Sequence, residues 1–285
     1  MSLQGPIRSY LYVPASDPRR VEKALASEAD AVVLDLEDAV TPNRKEEARE
    51  HAGQILGSAP EKPVLVRVNA PGSPLFEQDL RVVVGPNLFA IRLPKAEDPG
   101  TVRDVADALE RSGYEAGMQC LIESALGLEL SFDIARSHER VTNVSLGEAD
   151  LSADLGVGDE AGLLYARSRV VAAARAAGLS APVQSVYTDV RDLEGLRRST
   201  RDGKNLGFLG RSAIHPAQLP VINEVFTPTE EEVSGAEELL SRLEESAGGG
   251  TGAFVLEDGR FVDKAVVEAA RSTLALSAHL TGEAS

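Results

Sequence analysis

Charged and amide side chains recur where short apolar runs of the chain end, and they are the residues best placed to do chemistry. These side chains are Glu37 and Asp38, Arg67 with Asn69, Lys95, Glu123, Glu148 with Asp150, and His215. Taken singly, a charge at such a position is most often a solvated loop residue or a helix cap. Because such side chains follow most of the apolar runs, one shared site is favoured instead.

Glu123 and Asp150 are candidate ligands for a divalent cation. Glu123 ends the apolar run 120–122, and Asp150 follows the run 144–147. If these runs are adjacent strands, the two carboxylates lie close together, and without a cation one of them takes up a proton. Mg2+ commonly binds one or two protein carboxylates together with substrate oxygens and water. The pair therefore predicts a Mg2+ site, and the alternative is that Asp150 only caps the following helix.

Arg67 is a candidate for binding a substrate carboxylate. It lies inside the apolar run 64–69, where a guanidinium without a partner would be costly to bury. Its planar fork of donors suits the carboxylate of a keto or hydroxy acid. The alternative is an internal ion pair with Glu37 or Asp38. Both can hold, since acids can position an arginine that binds substrate.

Three other residues have reactive side chains in less favourable surroundings. Lys95 suggests a Schiff base, but acids follow it closely and no desolvating pocket is evident that would lower its pKa. Cys120 has no neighbouring base and is interpreted as a core residue. His215 is interpreted as fixing a loop. The metal-dependent route is therefore favoured over the lysine route.

The apolar runs themselves predict buried parallel strands. The predicted strands are residues 10–14, 31–37, 64–69, 89–94, 120–123, 144–147, 183–187 and 212–215, and stretches of helical period are residues 19–28, 44–56, 102–112, 161–177 and 193–201. Eight strands with helices between them favour an α/β fold of the (β/α)8 TIM-barrel class, whose active site lies at the carboxyl ends of the strands. The alternative, an open doubly wound sheet, would need a glycine-rich loop after its first strand, but residues 14–18 contain no glycine.

The chain changes character beyond residue 227. A helical stretch at 229–246 is followed by the glycine-rich segment 248–252, a short apolar run at 253–256 and a last helix from Asp263. The glycines lack the Lys-Ser/Thr ending of a P-loop and predict a flexible connector. We expect a barrel over residues 1–227 and a C-terminal helical lid over 228–285, which either stays in the same domain or is swapped onto a neighbour.

Composition restricts the possible partners. The formal net charge of −16 disfavours binding to nucleic acid or to a membrane surface, so an anionic substrate would need a basic pocket or a divalent cation. One cysteine allows no intrachain disulfide. The sequence shows neither a signal core nor an apolar run of the ~18 residues that span a bilayer. A cytoplasmic protein is expected.

The ordered motifs resemble those of the citrate lyase beta-subunit family, which includes citramalyl-CoA and malyl-CoA lyases, over nearly the whole chain. The matching segments are residues 8–14 (RSYLYVP), 29–40 (ADAVVLDLEDAV), 66–69 (VRVN), 93–97 (LPKAE), 122–123 before Gly127, 147–151 (GEADL), 213–218 (AIHPAQ) and 253–254 before 262–263. The resemblance implies a barrel that binds Mg2+ through Glu123 and Asp150. It also implies that Arg67 holds the carboxylate of oxaloacetate, pyruvate or glyoxylate, with Glu37 and Asp38 supporting Arg67 and the waters of the metal.

The activity that the resemblance implies is that of a Mg2+-dependent carbon–carbon lyase. Such an enzyme cleaves or forms a β-hydroxyacyl thioester of coenzyme A or of a carrier protein, by retro-Claisen or aldol chemistry, and releases or takes up a keto acid. Homotrimers or hexamers are expected, with Asp263 acting as acid/base in a neighbour's site. Two alternatives are a malyl-CoA-type thioesterase and a subunit of a multi-chain citrate lyase complex.

Three positions depart from the family motifs. Ala15 stands where the family often has glycine, and Lys264-Ala265 follows Asp263 where a proline is common two residues on. The metal motif, usually Gly-Ala-Glu-Asp, is Gly147-Glu148-Ala149-Asp150 here, so its extra acid is shifted by one residue.

Overall fold

The structure, a computed structural model, describes residues 6–246, 254–255, 261–262 and 264–282. One compact unit comprises Ile7–Asn223, and a second contains the chain from Glu224 onward. The strands are β1 (Ser9–Pro14), β2 (Ala31–Asp35), β3 (Val64–Arg67), β4 (Ala90–Leu93), β5 (Gly117–Ile122), β6 (Val141–Leu146), β7 (Arg211–Ala213), β8 (Phe254–Val255) and β9 (Phe261–Val262). The helices are α1 (Pro18–Leu25), α2 (Lys45–Gly57), α3 (Phe76–Val83), α4 (Pro99–Arg111), α5 (Ala125–Glu129), α6 (Ser131–Ala135), α7 (Glu148–Leu155), α8 (Leu164–Ala176), α9 (Leu193–Leu206), α10 (Leu219–Phe226), α11 (Glu230–Ser246) and α12 (Lys264–Thr281).

The first unit is built on a seven-stranded parallel sheet in the order β6-β5-β4-β3-β2-β1-β7. Strands β2, β4 and β5 are buried at every residue, as expected for strands covered on both faces. In-register pairing sets Asp35 of β2 beside Arg67 of β3, and Arg67 beside Arg92 of β4. Side chains paired in this way project to the same face of the sheet.

The segment 183–187, predicted as a strand, forms only one isolated bridge, between Gln184 and Arg211 of β7. On the β6 side, side chains take the place of a backbone ladder. The N–H of Val183 donates to Ser145 Oγ at 3.1 Å, and Ser185 Oγ donates to the carbonyl of Leu146 at 2.5 Å. The expectation of a regular strand here is therefore wrong. The seven parallel strands form a half-barrel, consistent with a TIM-barrel-like fold.

Helix starts follow the signals in the sequence. Asp17 caps α1 and Asp98 caps α4, and in each case a proline follows at the first helical position. Gly113 and Gly178, each two residues after the last residue of α4 and α8, have φ of 75°, a value that favours glycine. These local choices turn the chain back toward the next strand after each helix.

The second unit contains two long helices and a short hairpin. In α11, Leu239, Leu240 and Leu243 pack against Val262 and Val267, and β8 pairs antiparallel with β9. The glycine-rich segment 248–252 and Asp263 lie outside the described residues. No helix among the described residues is both long enough and apolar enough to cross a membrane.

The single cysteine gives a probe of the first unit. Cys120 is completely buried in β5, and burial raises the pKa of its thiol to about 12. We predict that DTNB at pH 8 leaves the native protein unlabelled and labels one thiol in denaturing urea. Stoichiometric labelling within seconds in native buffer would show that β5 is not in a closed core.

Candidate active site

A cleft of about 820 Å³ opens where the strands of the half-barrel end. Its lining comes from the ends of β1, β2, β3, β5 and β6 and from side chains within the strands, which form its floor. The charged lining residues are Arg20, Asp35, Asp38, Arg67, Arg92, Glu123, Glu148, Asp150, Asp159, Glu160, Arg167 and Arg211. The structure thus brings together Asp38, Arg67, Glu123 and Asp150, as the sequence predicted.

The strongest contact in the cleft is a buried pair between Arg67 and Asp35. Arg67 donates Nε to Asp35 Oδ1 at 2.8 Å and Nη2 to Asp35 Oδ2 at 2.5 Å. Asp35 also accepts the backbone N–H groups of Glu37 and Ala39, at 2.9 and 3.1 Å. One carboxylate therefore positions both the guanidinium and the acidic loop at residues 36–39.

The acidic loop completes the surroundings of Arg67. Arg67 Nη1 lies 3.2 Å from Glu37 Oε2 and 3.4 Å from Asp38 Oδ2, and the guanidinium lies 5.3 Å from the centroid of the Tyr12 ring. Burial alone would lower the pKa of Arg67, but the hydrogen bonds and charge of Asp35 outweigh it and hold that pKa above its usual value. The internal ion pair given as an alternative is present, with Asp35 as a third acid.

Glu37 and Glu123 are buried carboxylates with altered acidity. Burial raises the pKa of each to about 7, against the opposing effect of Arg67. Asp38 raises both pKa values further, and Asp150 raises that of Glu123. Glu37 and Glu123 are thus hard to ionise, and the exposed acids Asp38 and Asp150 lie nearby. A positive charge added at this end of the cleft would therefore be favourable.

Two backbone features set the position of Glu123. Its Oε2 accepts the backbone N–H of Lys95 at 3.1 Å, and Lys95 adopts a left-handed φ of 53° to present that N–H. On the other side lies Gly147, where a Cβ would overlap the Glu123 carboxylate. Only glycine at 147 leaves room for this orientation of the acid.

Asp150 lies in the first turn of α7 and is exposed. The N-cap of α7 is Gly147, and no side chain caps this helix. Asp150 makes no hydrogen bond or ion pair with any residue that the structure describes. Its carboxylate is therefore free to bind a ligand, and the helix-cap alternative is not what the structure shows.

A partly buried lysine, Lys45, supports the acidic loop through hydrogen bonds. Lys45 Nζ donates to the carbonyls of Leu36 and Glu37, both at 2.7 Å, and to Asn69 Oδ1 at 2.8 Å. These three acceptors use all the donors of the ammonium group. Nothing in the sequence marked Lys45, the first residue of α2, as a site residue.

Asn69 continues this support into the core. Its backbone N–H and its Nδ2 both donate to Asp79 Oδ2, at 2.9 and 2.6 Å, and Arg49 Nε donates to Asp79 Oδ1 at 2.8 Å. All three residues are buried. These hydrogen bonds connect the residue after the end of β3 to α2 and α3, and so hold this part of the cleft floor in place near Arg67.

One group of three possible metal ligands is found among the described residues: Asp107, Glu110 and His138, none of which lines the cleft. His138 Nδ1 accepts the N–H of Arg140 at 3.0 Å, so a neutral ring carries its proton on Nε2. Nε2 lies 3.3 Å from Asp107 and 3.5 Å from Glu110. A metal would need the lone pair of Nε2, so the geometry fits a contact between the Nε2 proton and the two carboxylates instead.

Comparison with known sequences identifies the family. The sequence model of the family described as HpcH/HpaI aldolase/citrate lyase matches residues 8–216. The chain belongs to this family. Citrate lyase subunit beta of Leuconostoc mesenteroides subsp. cremoris is 33% identical over 95% of this chain and 93% of its own length. The (3S)-malyl-CoA thioesterase of Cereibacter sphaeroides is 35% identical over 95% and 94%, and the mitochondrial citramalyl-CoA lyase of Homo sapiens is 33% identical over 95% and 86%.

Solved structures of the family share the fold. CitE from Mycobacterium tuberculosis, in complex with magnesium, acetoacetate and coenzyme A, aligns with a TM-score of 0.79 at 31% identity, over 97% of this chain and 99% of that one. A citrate lyase beta subunit from the same organism, complexed with oxaloacetate and magnesium, aligns with a TM-score of 0.69 at 30% identity, over 80% and 100%. The parallel half-barrel is thus the fold of the citrate lyase beta subunit.

The shifted acid of the family's metal motif is explained by a local partner. Glu148 accepts Nε and Nη2 of Arg167, at 2.8 and 2.7 Å, and Arg167 Nη1 lies 3.5 Å from Glu160. This bidentate pair neutralises Glu148. Asp150 therefore stays the available acid of the motif, and Arg167, in α8, is a cleft residue that the sequence did not point to.

The remaining predicted residues have structural roles. Lys95 is exposed and does not line the cleft, so nothing desolvates its amine as a Schiff-base lysine requires. His215 Nδ1 accepts the N–H of Ala217, and Gln218 reaches back to the N–H of His215, so the prediction that His215 fixes a loop is confirmed. Cys120 is a core residue, as predicted.

The Asp35–Arg67 pair yields a prediction for stability. Asp35→Asn leaves a buried guanidinium without its main counter-charge, and we expect the free energy of unfolding in urea to fall by about 3–5 kcal/mol. The control is Glu47→Gln, which breaks the exposed pair between Glu47 and Arg44 and should leave the stability nearly unchanged. Equal effects of the two substitutions would mean that the buried pair does not hold the site together.

Proposed function

We propose that the protein is a Mg2+-dependent carbon–carbon lyase. It would cleave or form a β-hydroxyacyl thioester, of the citryl-, citramalyl- or malyl-CoA kind, with a keto acid and an acyl thioester as the other reactants. The proposal is carried by one observation: Glu123 and Asp150 line the same cleft as Arg67. Relatives named as lyases, and CitE complexes with magnesium and keto acids, support it.

Glu123 and Asp150 would hold the Mg2+. The donor set fits, since both groups offer oxygen and Asp150 has no competing partner among the described residues. Burial and the charge of Asp150 raise the pKa of Glu123, and a cation would relieve that repulsion. When bound, Mg2+ would stabilise negative charge on the substrate's hydroxyl oxygen, which becomes the keto oxygen when the carbon–carbon bond breaks.

Arg67 would orient the keto-acid carboxylate. Asp35 accepts the N–H of Nε and one N–H of Nη2, and Asp38 accepts one N–H of Nη1 at 3.4 Å, so one N–H on each of Nη1 and Nη2 remains for a ligand. Glu37 and Asp38, beside Nη1, would hold Arg67 and the waters of the metal in place. Fixing the carboxylate would align the bond that breaks.

The reaction also needs an acid that protonates the enolate carbon. Cleavage of a β-hydroxy thioester removes the hydroxyl proton, breaks the Cα–Cβ bond and leaves a keto acid and a thioester enolate. An acid then protonates the enolate carbon, and in the synthetic direction the same group removes that proton. The proposal gives this role to Asp263, on the resemblance to the family alone.

The proposal extends to the finer architecture. Residues 183–187 would take the place of the missing strand in a closed (β/α)8 barrel, which is supported by their hydrogen bonds to both β6 and β7. Residues 228–285 would form a lid, in a cytoplasmic homotrimer or hexamer, with Asp263 supplied to the same or a neighbouring site.

A second candidate activity is hydrolysis of a malyl-CoA-type thioester, favoured by the similarity to the (3S)-malyl-CoA thioesterase. Incubation with Mg2+ and a panel of β-hydroxyacyl-CoA thioesters separates the activities. Release of a keto acid supports the lyase, whereas free coenzyme A with the hydroxy acid intact supports the thioesterase. No reaction with any thioester would favour a subunit that acts on carrier-protein thioesters within a citrate lyase complex.

Substitution of the proposed ligands should remove the cation. Glu123→Gln and Asp150→Asn are each expected to abolish most Mg2+-dependent turnover without unfolding the protein, because both carboxylates face the cleft. The control, Glu46→Gln, removes an exposed acid from the first turn of α2 and should have no effect. Wild-type Mg2+ affinity in Asp150→Asn, measured by calorimetry, would exclude Asp150 as a ligand.

Gly147 offers a test that leaves both ligands in place. In Gly147→Ala the new Cβ must displace the Glu123 carboxylate, and we expect Mg2+ affinity to fall about 10- to 100-fold. The matched control is Gly57→Ala at the end of α2, where a Cβ meets open space. An unchanged affinity in Gly147→Ala would mean that the position of Glu123 is not set by Gly147.

For Arg67 the informative substitution keeps the charge. Arg67→Lys loses the planar fork, and we expect keto-acid binding in the presence of Mg2+ to weaken by about 1–3 kcal/mol in calorimetric titration. If oxaloacetate, pyruvate and glyoxylate all bind as tightly as before, Arg67 does not contact substrate.

A further inference from the structure

Arg92 is a fully buried arginine on the floor of the cleft, with 1% of its surface exposed. Its Nε donates to Gln119 Oε1 at 3.1 Å, and its Nη1 donates to Tyr12 Oη at 2.9 Å and to Ser212 Oγ at 3.1 Å. All of these partners are neutral. Nη2 donates to no residue that the structure describes.

Arg92 differs from two other arginines of the cleft because it has no acidic partner. Arg67 is paired with Asp35 and Arg167 with Glu148, whereas no described carboxylate forms an ion pair with Arg92. The rings of Tyr10 and Tyr12, with centroids 5.1 and 5.4 Å from the guanidinium, offset part of the cost of burying the charge. Neutral partners leave most of that cost in place, and an anion in the cleft would remove it.

Arg92 is also close to the proposed carboxylate-binding arginine. Arg67 and Arg92 are in-register partners on β3 and β4. Their side chains project to the same side of the sheet, and both guanidinium groups stack near Tyr12, at 5.3 and 5.4 Å from its centroid. A short ligand with an acid at each end can therefore meet both arginines.

We propose that Arg92 forms a second carboxylate subsite, which makes the protein selective for a keto acid with two carboxylates over one with a single carboxylate. The inference rests on the proposed function. One carboxylate binds Arg67 near the cation, and the distal carboxylate reaches Arg92 on the floor. A monocarboxylic keto acid leaves Arg92 without an anion and loses that contribution.

The test is calorimetric titration of the full-length protein in Mg2+ with pyruvate and with freshly dissolved oxaloacetate. We expect oxaloacetate to bind the wild type about 10- to 100-fold more tightly than pyruvate. In Arg92→Met the preference should fall to within about twofold while pyruvate binding is unchanged. Arg92→Lys, which keeps the positive charge, should retain part of the preference and carries the test if Arg92→Met does not fold.

A positioning role for Arg92 gives a different result. Tyr12→Phe removes the hydroxyl that Arg92 binds but keeps the ring and the Arg92 charge. The subsite predicts that Tyr12→Phe retains the preference for oxaloacetate. If Tyr12→Phe loses it as fully as Arg92→Met does, Arg92 acts through Tyr12 and the subsite is overturned.

The wild-type titrations separate this inference from the proposed function. Pyruvate binding without any preference for oxaloacetate overturns the subsite alone and leaves the lyase proposal intact. Failure of both keto acids to bind in Mg2+ overturns the proposed function, and the subsite with it.

Discussion

The buried pair between Asp35 and Arg67 is the interaction on which the rest of the site depends. Asp35 ends β2 and Arg67 ends β3, so in-register pairing of two strands is sufficient to bring them together. Because the same carboxylate also accepts two N–H groups of the acidic loop, the loop, the guanidinium and the two strand ends form one rigid unit. Breaking such a pair leaves a charge buried without compensation, which the fold cannot accommodate cheaply.

The charge balance around this unit distinguishes acids with a structural role from acids available to a ligand. Glu148 is neutralised by Arg167, and Asp79 by Arg49, so these acids serve structure. Glu123 and Asp150 have no cationic partner of their own among the described residues, and burial already makes Glu123 hard to ionise. A cation bound here would relieve the repulsion between these two carboxylates.

Much of this arrangement could be predicted from the sequence, because charges at the ends of apolar runs mark the carboxyl edge of a parallel sheet. Asp35 was missed because it lies inside such a run, and only strand register shows that it faces Arg67. Lys45 and Arg167 were missed because their partners are brought close only by tertiary packing. The strand predicted at 183–187 is absent because Ser145 and Ser185 supply hydrogen bonds that a backbone ladder would otherwise make. The catalytic role of Asp263 stays a prediction.

We expect a cation to bind between Glu123 and Asp150. Crystals of the protein soaked in Mn2+, which binds the same hard oxygen ligands as Mg2+, allow the ion to be located by its anomalous scattering. We expect one strong peak in the cleft, bonded to both carboxylates and beside Arg67. A peak at Asp107, Glu110 and His138 instead, or none in the cleft at saturating Mn2+, would contradict it.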